Sequence, residues 1–65
     1  MTIQLNDETR ETGAATITAL LEELNLAGQP VLIERNGIAH FPREFDTTKL
    51  AEGDKLELIR VVAGG

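Results

Sequence analysis

Thr16-Ile17-Thr18-Ala19-Leu20-Leu21-Glu22-Glu23-Leu24 is the stretch that decides the fold. Ile17, Leu20, Leu21 and Leu24 recur at i, i+3, i+4 and i+7, one face of a 3.6-residue period. Thr18, Glu22, Glu23 and Asn25 take the opposite side. Thr16 is placed to cap the first turn, because its hydroxyl can accept from a free amide there. Gly28 is the expected stop, since glycine adopts the left-handed conformation without steric penalty. A helix of about ten residues is marginal alone in water, so its leucine face has to pack on a sheet.

The sheet is read outward from this helix. On its N-terminal side, Ile3 and Leu5 alternate with Thr2, Gln4 and Asn6, the period-2 pattern of a half-buried strand. Asn6-Asp7-Glu8 is expected to turn the chain into a short polar strand over Thr9 to Thr12. On the C-terminal side, Pro30 to Arg35 reads as an apolar strand. Asn36-Gly37 follows, a strong hairpin signal because both turn positions need positive φ. Ile38 to Phe41 forms the return strand, and Pro42, which cannot donate to a ladder, ends it. Arg43 to Leu50 is expected to be irregular, with one helical turn starting near Asp46. Glu52-Gly53-Asp54 turns into a last strand, Lys55 to Val62. Strands before and after one helix predict an α+β chain, with the helix covering one face of a mixed sheet of four or five strands. The first and last strands are expected to pair in parallel near its centre, as a helical crossover allows. This is the ubiquitin-like β-grasp, assigned to residues 1–62, with 63–65 as a flexible Gly-Gly tail.

Composition narrows the function. A chain of 65 residues forms one domain, and a domain of this size buries only about 60% of its unfolded surface. Its core leaves little room for a ligand pocket of roughly 300 Å³ or more, which disfavours an enzyme. The absence of cysteine removes disulfides, thiolate nucleophiles and thiolate metal sites. Six basic against 11 acidic residues give a net charge of −5, which disfavours nucleic acid and anionic membrane surfaces as partners. No apolar run approaches the roughly 20 residues that span a bilayer. The N-terminus lacks the basic and long apolar regions of a secretory signal, so the expected location is cytoplasmic. With Met1 at the start and no tag, Gly65 is read as the natural terminus.

The last strand points to the working part. Leu56 and Leu58 face the helix in this reading, whereas Ile59 and Val61 face away and are expected to form an exposed docking patch. Val62-Ala63-Gly64-Gly65 follows directly. Four extended residues reach roughly 13 Å, enough to place a carboxylate inside another protein's active site. Glycines at 64 and 65 keep that path narrow.

Together these segments resemble the sulfur carrier proteins of the ThiS type. The resemblance runs through Leu5-Asn6-Asp7, Thr16 to Leu21, Asn36-Gly37, Pro42-Arg43-Glu44, Glu52-Gly53-Asp54 and Leu58-Ile59-Arg60-Val61-Val62-Ala63-Gly64-Gly65. It departs at Phe45-Asp46, where the family often has a tryptophan nearby. The resemblance implies that an E1-like adenylyltransferase of the ThiF type adenylates the Gly65 carboxylate with ATP. A persulfide sulfur then makes it a thiocarboxylate, delivered to a thiazole synthase of the ThiG type in thiamine biosynthesis. The chain itself would bind no cofactor and act as a co-substrate, with Gly64 and Ala63 as the tail and Ile59, Val61, Val62 and Arg43 meeting partners. The alternatives are a molybdopterin-synthase small-subunit-like carrier, a ubiquitin-like protein modifier, or a plain interaction module.

Other polar residues carry less. His40, the sole histidine, makes neither a zinc site nor a triad without further ligands, and a strand-edge or surface place suits it better. Glu22-Glu23 reads as a solvated helix face rather than an acid/base pair. Asp7, Glu8 and Glu11 lack the spacing of a calcium loop. Arg43 either meets a partner's carboxylate or pairs with Glu44, Asp46 or the chain's own surface.

Overall fold

The computed structural model describes residues 1–61. The expected domain boundary after residue 62, and the tail, lie outside the described residues. The elements in order are β1 (Thr2–Leu5), β2 (Glu8–Glu11), α1 (Ile17–Glu23), β3 (Val31–Arg35), β4 (Ile38–His40), a 3-10 turn (Pro42–Glu44) and β5 (Lys55–Arg60). The strands form one sheet in the order β2-β1-β5-β3-β4. β1 and β5 are parallel, and the other neighbours are antiparallel. The expected mixed five-stranded β-grasp is therefore the observed fold, with the first and last strands paired near the centre.

Two-residue turns close both hairpins. Asn36 and Gly37 have φ of 52° and 84°, so both central positions are left-handed, and Arg35 pairs with Ile38. This is the primed geometry whose twist matches that of paired strands. Asn6 and Asp7 do the same at φ 51° and 67°. Leu5 pairs directly with Glu8, so Glu8 belongs to β2 and the expected three-residue turn is one residue too long. Asn and Asp tolerate the left-handed region better than other residues with a Cβ.

The helix begins as expected and ends early. Thr16 Oγ1 accepts from the Ala19 amide at 3.2 Å, and Ile17, Leu20 and Leu21 are buried. Yet α1 stops at Glu23, with Asn25 at φ 60° rather than Gly28 as the first left-handed residue. Gly28, at φ 80°, belongs to the following turn. The Asn25 amide donates to Glu22 O and the Leu26 amide to Leu21 O, which satisfies carbonyls of the last turn. Thr16→Ala should cost about 1 kcal/mol of stability by urea denaturation. A loss within error would show that the cap is redundant beside tertiary packing.

Ile3, Ala14, Ile17, Leu20, Leu21, Val31, Ile33, Phe45 and Leu56 make the core between α1 and one sheet face. Phe45 explains the loop after β4. The helical turn forms at Pro42–Glu44, ahead of the expected Asp46, because the fixed φ of proline suits the first position of a helical turn. Glu44 Oε1 accepts from the Phe41 amide at 2.9 Å, and Phe45 then drops into the core.

Two polar clamps tie the layers. Glu23 is more than a solvated helix residue: it accepts from Thr12 Oγ1 at 2.8 Å and from Arg10 Nη2 at 3.0 Å, joining α1 to β2. Those hydrogen bonds, from Thr12 first and then Arg10, hold its carboxyl below the usual range. Asp54, 5% exposed, accepts from Arg35 Nε at 2.7 Å, Ala51 N at 2.8 Å and Asn36 Nδ2 at 3.0 Å. It locks the start of β5 to the β3–β4 hairpin.

Candidate functional site

The candidate site is the C-terminal end of β5 and the sheet face opposite α1. β5 is held along its length by β3, in register from Val31↔Arg60 to Arg35↔Leu56. On its other side β1 pairs with it at Gln4 and Leu5. Beyond β1, Asn6 continues the contact: its amide donates to Leu56 O at 2.9 Å, and its Oδ1 accepts from Leu58 N at 2.8 Å.

The strand stops for a local reason. The Val61 amide donates to Pro30 O at 2.8 Å, but Pro30 has no N–H to return. The ladder closes there, so β5 ends at Arg60 rather than at the expected Val62. This fixes the point from which residues 62–65 continue.

Alternation along β5 sends Leu56 into the core and leaves Leu58 packed against it. Ile59 and Val61 stand on the open face, 40% and 54% exposed, as expected. The same face carries residues that the sequence reading missed. Leu32 pairs with Ile59 and is half-buried. Phe41, extended at φ −100° and ψ 162°, is 50% exposed, and one further step of the Ile33↔His40 register sets it opposite Leu32. The near-continuous apolar run Val31-Leu32-Ile33 hid this split between faces. The alternation of buried Val31 and Ile33 around Leu32 was the available signal.

The other predicted residues are distributed differently. Gly65, Gly64, Ala63 and Val62 lie outside the described residues. Arg43 is exposed on the 3-10 turn. It pairs with neither expected partner: Glu44 is engaged by the Phe41 amide and lies 3.7 Å from His40 Nδ1, and Asp46 accepts from Thr18. Arg43 follows β4, which β3 separates from β5, so the fold does not set it directly beside Ile59 and Val61. His40 closes the edge strand β4, near Glu44 and Thr48.

Among the described residues, one concavity of about 270 Å³ is lined by Leu5, Asn6, Glu8, Thr9 and Arg10 at the β1–β2 turn. It lacks the apolar lining of a usual ligand pocket. Among these residues no cluster of His, Asp and Glu is placed to hold a metal ion, and no helix is long and apolar enough to cross a membrane.

This geometry has close counterparts. The crystal structure of a thiamine biosynthesis protein (ThiS) from Geobacter metallireducens is 30% identical and superposes with a TM-score of 0.82, with all of both chains covered. The NMR solution structure of a thiamine biosynthesis protein from the same organism gives 0.75 at 30% identity, covering all of this chain and 88% of that one. No curated protein matches the sequence. The ThiS family model matches residues 3–65, from the first core isoleucine through Gly64-Gly65. On that match the chain belongs to the ThiS family.

Proposed function

We propose that this chain is a cytoplasmic sulfur carrier of thiamine biosynthesis, and that Gly65 is its reactive residue. The Gly65 carboxylate attacks the α-phosphorus of ATP in a ThiF-type enzyme, and pyrophosphate leaves. A persulfide sulfur then attacks the acyl carbon, and AMP leaves. A second thiol then attacks the donor's sulfur in the resulting acyl disulfide, forms a disulfide with it and releases the thiocarboxylate, which goes on to a ThiG-type thiazole synthase. The first step is needed because a carboxylate is a poor electrophile until it carries a leaving group. Catalytic groups and ATP belong to the partners, and the chain is a co-substrate regenerated each cycle.

The observation that carries this reading is the position of β5. The strand leading into Val62-Ala63-Gly64-Gly65 lies between β1 and β3. A partner that holds the sheet therefore gains a fixed starting point for the last residues. Ile59 and Val61 are the proposed handle beside that point, and Arg43 a more distant contact. The ThiS match favours this pathway over the molybdopterin and modifier alternatives.

The test is intact-mass analysis after incubation with a ThiF-type enzyme, ATP, a persulfide donor and a thiol reductant. A gain equal to one oxygen-to-sulfur exchange, localised to Gly65, is the expected result. An unchanged mass with the fold intact would remove the assignment.

A further inference from the structure

Strand register arranges the open face in rows. One row is Ile59 of β5, Leu32 of β3 and Phe41, the residue that follows β4. The row beyond it, toward Val62, is Val61 opposite Pro30. The row on the other side is Glu57, Glu34 and Ala39, with Glu57 directly paired to Glu34. Like charges directly opposite destabilise a sheet, yet neither carboxylate joins an ion pair among the described residues. Lys55 lines the same shallow concavity of about 160 Å³ as both glutamates and Gly37, without reaching either.

We infer that this face is a docking surface for a protein partner that lays an apolar patch over Ile59, Leu32 and Phe41 and inserts an arginine or lysine between Glu34 and Glu57. The inference rests on the carrier reading for the partner's identity and goes beyond it in naming the partner's chemistry. Exposed Ile59 and Phe41, with half-buried Leu32 between them, provide the contact area beside the exit of β5. The carboxylate pair supplies the complementarity: neither Glu34 nor Glu57 has a cationic partner among the described residues, and an arriving cation would supply one to both. The net charge of −5 acts in the same direction at longer range. Arginine suits the place well, since its planar fork can reach two carboxylates at once.

The experiment follows pyrophosphate release by a purified ThiF-type enzyme as a function of carrier concentration, at low and at physiological salt, with calorimetric binding in parallel. Glu34→Gln/Glu57→Gln should raise KM about tenfold at low salt and flatten its salt dependence. It should leave kcat at saturation unchanged and melt at the same temperature as the wild type or higher, which excludes misfolding. Phe41→Asp should raise KM at least as much. An unchanged KM for the glutamine pair overturns the cationic partner group, and an unchanged KM for Phe41→Asp overturns the apolar footprint. Binding of the wild type without pyrophosphate release would remove the carrier reading while leaving the docking surface to be judged by affinities alone. Sedimentation showing a wild-type dimer that Phe41→Asp dissociates would assign the face to a second copy of the chain and overturn the proposal.

Discussion

Asp54→Ala is expected to destabilise the chain by about 2–3 kcal/mol and lower its melting temperature by roughly 10–20 °C. Removing one partner of a buried pair costs about 3–5 kcal/mol in full. Here the Arg35 side chain is 29% exposed and recovers some hydration, which reduces the loss. The Ala51 amide and Asn36 Nδ2 lose their acceptor as well, but both residues are exposed and water replaces part of that loss. A domain of 65 residues has about 3–10 kcal/mol to lose, so this single carboxylate carries a substantial share of the chain's stability. Urea denaturation checks it. A loss under about 0.5 kcal/mol, the range of ordinary surface changes, would show that the clamp is ornamental.

The same clamp sets a pH dependence. Burial pushes the Asp54 carboxyl up, but the Arg35 guanidinium, the Ala51 amide and the Asn36 side chain together hold it below its ordinary value of 3.8. A depressed carboxyl stabilises the fold above the unfolded value, and that stability is lost as pH falls through the lower folded one. The wild-type advantage over Asp54→Asn should thus be constant from neutral pH to about pH 5 and shrink below about pH 4. Glu23 titrates in the same direction, but it is present in both proteins and cancels in the difference. An advantage that grew on acidification would contradict the sign of the argument.

The elements that local rules govern were legible in the sequence. Asn36-Gly37, the Thr16 cap and the Ile17-Leu20-Leu21 face each follow from the requirement of one turn or one helix, and each lies where expected. The errors arose where a distant partner intervenes. Nothing near Asp54 reveals that Arg35, 19 residues earlier, will meet it, so it read as a plain turn residue. The helix ended early because Asn25 took the left-handed position before Gly28 was reached. β5 ended early because its partner at that step is Pro30. The open face was half-legible: Ile59 and Val61 came from alternation in one strand, but Leu32 and Phe41 joined them only through cross-strand register.

The second large effect concerns the chain's end. Deleting Gly65 should lower the rate of ATP-dependent activation at least about 100-fold, the cost of misplacing a reacting atom by even about 1 Å. The deletion shortens the maximum reach by about 3.5 Å and moves the terminal carboxylate to Gly64. The shortened chain should melt within about 2–4 °C of the wild type, the shift that a change of about 0.5 kcal/mol produces in a domain of this size. Gly64→Val asks the complementary question: it keeps the length and the carboxylate and adds bulk beside them. If a narrow passage in the partner is what requires glycine, this variant should also lose activation, and an unchanged melting temperature would show that the core formed by Ile3, Leu20, Ile33 and Leu56 is untouched. Retained binding would then separate the two parts of the molecule, because the Ile59–Leu32–Phe41 face is intact in both variants and should still hold the partner. A deletion variant that unfolds would make the last residues structural, and one that is activated at the wild-type rate would move the chemistry away from Gly65.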